Sequence, residues 1–142
     1  MSRRYAHVVE RERRRAKLSL KAASLLLREA LYEDAVSKAY YACFHMARAV
    51  LLNKEIVPRS HRSVISLFGL HFVKCGIVSG ALGRVLAQEF EDRLTSDYDV
   101  ETDIEEVVAR QRFIDAEDFI RYMGRWLDQE QPRRRLRAKG RS

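Results

Sequence analysis

The sequence predicts an all-α protein, an antiparallel up-down bundle of four to five helices. Apolar residues recur at three- and four-residue steps over most of the 142-residue chain, the spacing that lines up one face of a helix. Neither alternating apolar and polar residues nor a glycine-rich phosphate loop occurs anywhere. The joints carry helix-stop and helix-start residues and are short, which makes consecutive helices antiparallel neighbours.

Ala16, Leu20, Ala23, Leu27 and Ala30 form the apolar face of the first helix, with "RERRR" on its exposed start and its end near Leu31. A second helix from about Glu33 carries Val36, Tyr40, Cys43, Ala47 and Val50 and stops before Pro58, because a residue preceding proline is pushed out of the helical region. Ser60 is the expected N-cap of a shorter third helix with Val64, Phe68 and Phe72, closed by Gly76 after Cys75. The fourth starts near Ser79 and carries Leu82, Leu86 and Phe90. The fifth is expected to open on a capping box, Thr102 to Glu105, and to run through Val107, Ile114, Ile120, Met123 and Leu127 until Pro132.

Chain length suits one domain with one core. Residues 1–17 read as the basic start of the first helix, 18–131 as the bundle and 132–142 as a disordered basic tail. The net charge is +7, and it sits at the ends. "RRRLRAKGR" holds six basic residues and no acidic one, whereas Leu18 to Pro132 has fourteen basic against eighteen acidic. The body is therefore slightly acidic, and the tail reads as a solvated extension or as an arm for nucleic acid. No apolar run approaches the roughly 20 residues of a membrane span, and the charged N-terminus is unlike a secretory signal, so a cytoplasmic protein is expected. Cys43 and Cys75 lack the number and spacing of a disulfide framework or zinc site; both are expected to be reduced and packed as small hydrophobes.

The second helix carries polar tips where plain leucine would serve. Ser37, Tyr41, His45 and Arg48 fall within about 80° of one another on a helical wheel, beside the apolar stripe. In the fourth helix the row Leu82, Leu86, Phe90 is continued at helical spacing by Arg93 and Asp97. A guanidinium on an inward row needs a carboxylate, a phenol or a bound anion beside it. Each residue also has a structural reading: a core tyrosine at Tyr40, a rim histidine at His45, a turn residue at His61, an ion pair between Arg93 and Asp97. Together they form a candidate polar site of Arg93, Asp97, Tyr98, Ser37, Tyr41, His45 and His61. No metal or cofactor is expected.

"SKAYYACFHMARAVLL", "SHRSV", "RLTSDYD" and "AEDFI", in that order and spacing, resemble the small stand-alone prokaryotic HEPN proteins over about Leu18 to Gln131. The resemblance implies a HEPN-like bundle that dimerises through the face carrying the motif. Many such proteins are encoded beside a minimal nucleotidyltransferase as toxin and antitoxin, and the toxin members are metal-independent RNases with an arginine followed, after four to six residues, by a histidine. Arg93 matches the arginine. The matching positions for the histidine hold Tyr98, Asp99 and Val100.

That departure matters chemically. Cleavage through the ribose 2′-hydroxyl needs a base, an acid and a cation for the developing phosphorane charge. A tyrosine, with an ordinary pKa of about 10, is a poor base at neutral pH, whereas histidine is suited to the task. His45 or His61 would have to supply the imidazole from another helix. Three readings follow: a dimeric module binding nucleotide, phosphate or RNA, paired with a minimal nucleotidyltransferase; a metal-independent RNase toxin with a rearranged site; or a helical interaction protein whose polar cluster only fixes packing. The reading leans against an enzyme, and the resemblance also makes Tyr98 a candidate acceptor of AMP from the partner.

Overall fold

The computed structural model describes residues 3–88 and 104–140, the last ten as helical backbone. A turn of 3-10 helix, Arg3–Tyr5, leads into α1, Ala6–Arg28. α2 spans Tyr32–Asn53, α3 spans His61–Phe68 and continues through a π turn at Gly69–Val73, α4 covers 80–88, and α5 covers Glu106–Gly140. The described regular structure is all helical, the all-α bundle that the spacing of apolar residues predicts.

α2 is the central helix, since fourteen of its 22 residues are buried and a helix apolar on most sides must be covered on most sides. Its small residues, Ala39, Ala42, Ala47 and Ala49, meet the equally buried Ala16 and Ala23 of α1 in one core cluster. The chain reverses between α1 and α2 over three residues, so the two helices are antiparallel. α5 runs antiparallel to α1 as well: Arg13 reaches Asp128 at 2.9 Å, and Leu27 packs with Ala109.

Both reversals around α2 end in a left-handed residue that is not glycine. Ala30 has φ 60° and Glu55 φ 63°. In each case the next N–H reaches back five residues, Leu31 to Leu26 O and Ile56 to Leu51 O, both at 2.9 Å. These bonds satisfy carbonyls that the helix end leaves open, at a steric cost of about 1 kcal/mol for a side chain in that region. α1 therefore ends three residues before Leu31, and Ala30 leaves the apolar row and is exposed.

After α2 the connection doubles back along it. His61 lies against Tyr40 and Phe44, while ten residues further on the His71 carbonyl accepts a 2.9 Å hydrogen bond from Lys54 Nζ. α3 thus travels beside α2 in the same sense. Ser60 caps it as expected: its hydroxyl accepts from Ser63 N–H, and the Ser63 hydroxyl accepts in turn from Ser60 N–H. Phe68 and Phe72 stack at 5.1 Å and carry α3 onto Phe119 and Trp126 of α5. α4 is capped by Ser79, whose hydroxyl accepts from Leu82 N–H, and Leu86 is buried as expected.

Several expectations need correction. α5 starts at Glu106, with Ala109 N–H bonded to the Glu105 carbonyl, so Glu105 precedes the helix and cannot close a capping box inside it. The inward row of α5 is Ala109, Ala116, Ile120, Met123 and Leu127, while Val107 and Ile114 are exposed; they stand half a turn from that row. The helix does not stop at Pro132 but runs on to Gly140, because the arginine-, leucine- and alanine-containing sequence that follows has good helix propensity. Cys43 is buried, but Cys75 is exposed rather than packed. Arg93, Asp97 and Tyr98, with Phe90 and Thr102, lie outside the described residues.

Candidate functional site

The polar face of α2 is organised by a residue from the charged start of α1, a stretch whose sequence predicts an exposed surface. Glu12, inside "RERRR", is only 4% exposed. Val9, Glu12 and Ala16 follow one another at three- and four-residue steps and are all buried, so the carboxylate lies on the inward row of α1. The rule that singled out Arg93, a charge continuing an apolar row, finds Glu12 equally.

Glu12 meets two predicted residues of the α2 stripe. Its Oε2 lies 2.7 Å from His45 Nδ1, and its Oε1 lies 3.6 Å from Arg48 Nη1. Burial pushes the Glu12 carboxyl up, but the His45 hydrogen bond and the charges of His45, Arg48 and Arg15 outweigh it and hold the group below the ordinary carboxylate range. An ionised carboxylate only accepts, so Nδ1–H of His45 is the donor.

A few ångströms along α2, an aromatic ledge joins the two predicted histidines. The His61 ring stacks on Phe44 at 4.3 Å between centroids and 16° between planes, and the His45 ring meets the same phenylalanine edge-on at 5.4 Å. Tyr40, wholly buried, shares a 3.2 Å hydrogen bond between its hydroxyl and His61 Nδ1. This explains the paired tyrosines: Tyr40 fills the core and sends its polar tip to His61, while half-buried Tyr41 lies beside the His45 ring with centroids 6.4 Å apart. Ser37, one turn earlier on the same face, is half-buried, and its hydroxyl has no recorded hydrogen bond among the described residues. The geometry thus joins His45, Arg48, Tyr41, Tyr40 and His61 through Phe44 and Glu12, and leaves Ser37 at the margin.

Next to His61 the start of α3 borders an open hollow of about 490 Å³ lined by Arg59, Arg62, Ser60, Ser63 and Ser66 with Val57 and Leu67. Its charged lining is entirely basic. Guanidinium and hydroxyl groups suit phosphate oxygens, and the neighbouring ledge offers π faces. Among the described residues no cluster of three or more histidine, cysteine or carboxylate side chains has the geometry to hold a metal ion, and no described helix is long and apolar enough to cross a membrane.

Comparison with known proteins agrees with the fold. A model of the HEPN domain matches residues 9–127. A Methanocaldococcus jannaschii protein named "Putative toxin" is 40% identical over 105 residues, 74% of this chain and 78% of its own. A second protein of that name from the same organism is 33% identical over 109 residues, 77% of this chain and 74% of its own. A Thermotoga maritima "UPF0332 protein" is 36% identical over 113 residues, 80% of this chain and 86% of its own. With the helical bundle and a match that spans α1 to α5, the chain belongs to the HEPN domain family.

Proposed function

We propose that the protein is a dimeric HEPN module that binds RNA or a nucleotide through the α2–α3 face, and that it pairs with a minimal nucleotidyltransferase as toxin and antitoxin. The observation that carries this reading is the ledge of Phe44 with His45 edge-on at 5.4 Å and His61 stacked at 4.3 Å, next to the basic hollow of Arg59 and Arg62. Stacking faces and guanidinium groups together are what single-stranded nucleic acid requires. We assign Arg93, Asp97 and Tyr98 to the same function, with Arg93 as the phosphate cation and Tyr98 as the acceptor of AMP from the partner. The toxin names of the two Methanocaldococcus relatives support the toxin half of this reading.

Fluorescence anisotropy with labelled single-stranded RNA and with AMP tests the reading directly. Binding should weaken at least tenfold in Arg93→Ala and measurably in His61→Ala, and should fall with rising salt. The absence of binding to either probe at low salt would refute it.

A second reading is favoured by the Glu12–His45 pair. A buried carboxylate on Nδ1 is how an imidazole is oriented as a base, and His61 on the same ledge would supply the acid of a metal-independent RNase. RNA cleavage in the presence of EDTA, lost in His45→Ala and in Arg93→Ala but kept in Tyr98→Phe, would establish it over the binding module.

A further inference from the structure

We propose that the outer side of α1 and the C-terminal end of α5 form a second binding surface, one that holds the phosphate backbone of a nucleic-acid duplex without reading its sequence. It lies away from the α2–α3 face and does not rest on the function proposed for that face.

The two basic ends of the chain are far apart in sequence and adjacent in the fold. Arg13 of α1 reaches Asp128 of α5 at 2.9 Å, and its guanidinium passes so close to α5 that a Cβ on Gly124 would lie 3.9 Å from it. Because the helices are antiparallel, α5 beyond Asp128 runs toward the start of α1. It stays helical as far as Gly140, about 18 Å further. That stretch holds Arg133, Arg134, Arg135, Arg137 and Lys139, with no acidic residue after Glu130. The start of α1 matches it in sign. Arg4, Arg11, Arg14 and Arg15 are exposed, and Arg11 and Arg14 stand about half a turn from the buried row of Val9, Glu12 and Ala16. They therefore face away from α2 and its polar stripe.

The acidic residues of this end are already engaged. Glu10 and Asp128 hold Arg13, Glu12 holds His45 and Arg48, and Glu130 has an interaction of its own. Among the described residues Arg11 and Arg14 have no acidic partner. Two helix segments of one sign side by side repel each other, whereas a polyanion relieves the repulsion and gives up its own condensed counterions in doing so. Elsewhere the balance is reversed, with fourteen basic residues against eighteen acidic between Leu18 and Pro132. Arg4 and the five basic residues of the α5 end also lie outside residues 9–127, the stretch shared with the HEPN domain model.

The partner follows from the groups on offer. The surface presents guanidinium groups in place of a ledge of stacked rings, so it suits a duplex, whose bases are stacked on one another and whose phosphates face outward. From Arg4 to Arg14 the row is about 15 Å long, the span of about four phosphates on one strand.

Anisotropy titration of the full chain with a labelled DNA duplex of arbitrary sequence tests this surface separately, because paired bases are not free to stack on Phe44 or His61. The duplex and a scrambled counterpart should bind equally, and the logarithm of the binding constant should fall linearly with the logarithm of salt concentration. Arg11→Gln/Arg14→Gln should weaken binding at least tenfold at about 0.1 M salt and make the slope shallower by about 1.8, two contacts at about 0.9 each. Arg133→Gln/Arg134→Gln/Arg135→Gln/Arg137→Gln should act in the same direction. Glutamine is as good a helix former as arginine, and far-ultraviolet circular dichroism checks that both variants keep the parental fold. Excess AMP, directed to the α2–α3 face, should not displace the duplex at constant ionic strength.

No duplex binding by the parent at low salt, or the parental affinity and slope retained in either variant, would overturn the proposal. So would a preference above tenfold for one of the two sequences, since a backbone contact carries none. Displacement by AMP would assign the binding to the α2–α3 face instead. If vesicles of equal parts phosphatidylserine and phosphatidylcholine bind the parent and not the two variants, while the duplex binds neither, the surface serves a membrane and the nucleic-acid assignment fails. The function proposed above is decided by its own probes: no binding of AMP or single-stranded RNA, with duplex binding intact, would sink that reading and support this one.

Discussion

Replacing His45 with alanine strands Glu12, and the size of the effect follows from what remains around the carboxylate. The substitution removes a 2.7 Å hydrogen bond to a side chain that is 5% exposed. A bond to a charged group contributes about 1.5–3 kcal/mol, and breaking a buried pair costs about 3–5 kcal/mol when nothing compensates. Here Arg48 persists at 3.6 Å from the other oxygen, but it is 40% exposed and partly screened. The expected loss is about 2–3 kcal/mol, which for a chain of this size lowers the melting temperature by about 6–12 °C. Thermal melts followed by far-ultraviolet circular dichroism give the number, and the pH series gives its cause. Because the Glu12 carboxyl is held below its ordinary value in the fold, the unfolded chain binds the proton more tightly. The contribution is therefore complete above the unfolded carboxylate pKa of about 4.3 and is lost as pH falls through the lower folded value. The unsubstituted protein and His45→Ala should differ fully at pH 7 and converge as the pH drops below about 4. The double substitution Glu12→Leu/His45→Leu should cost much less than the sum of its parts, since no buried charge is left unpaired. A His45→Ala variant as stable as the parent at pH 7, or a gap that widens on acidification, would refute the account.

Further substitutions at four places test the frame that positions the site. A Cβ on Gly83 of α4 would come 2.5 Å from Val73 Cγ2, so Gly83→Ala should destabilise by about 1–3 kcal/mol in urea denaturation and Val73→Ala should restore most of it. Ser60→Ala removes the cap of α3 and should cost about 1 kcal/mol, with faster amide exchange at Ser63. Lys54→Met loses the 2.9 Å bond to the His71 carbonyl and the ammonium 4.7 Å above the Phe72 ring; a loss of about 1–2 kcal/mol in the same denaturation assay is expected. Ala30→Gly should raise stability by about 0.5–1 kcal/mol, because φ 60° suits glycine and strains alanine; a melting temperature that falls would contradict the left-handed helix end.

The sequence by itself determined the helical class and the buried row of α2, because a 3.6-residue period marks one face of a helix whatever the partners are. Val36, Tyr40, Cys43, Ala47 and Val50 are all buried as that period requires, and the Ser60 cap is a local hydrogen-bond pattern that needs no distant residue. It also grouped Tyr41, His45 and Arg48 on one stripe. The period cannot say which residues of another helix face that stripe. Glu12 was grouped with its four arginine neighbours because local charge density reads as solvated surface; only the packing of α1 on α2 turned it inward, toward His45, 33 residues away. Likewise His61 looked like a turn residue until the return of the chain along α2 set its ring on Phe44. Val107 and Ile114 are apolar and on that ground belong to the core, yet α5 turns its smaller Ala109 and Ala116 toward the bundle. The contact between Glu12 and His45 joins two helices that the sequence keeps apart, and tertiary packing alone creates it.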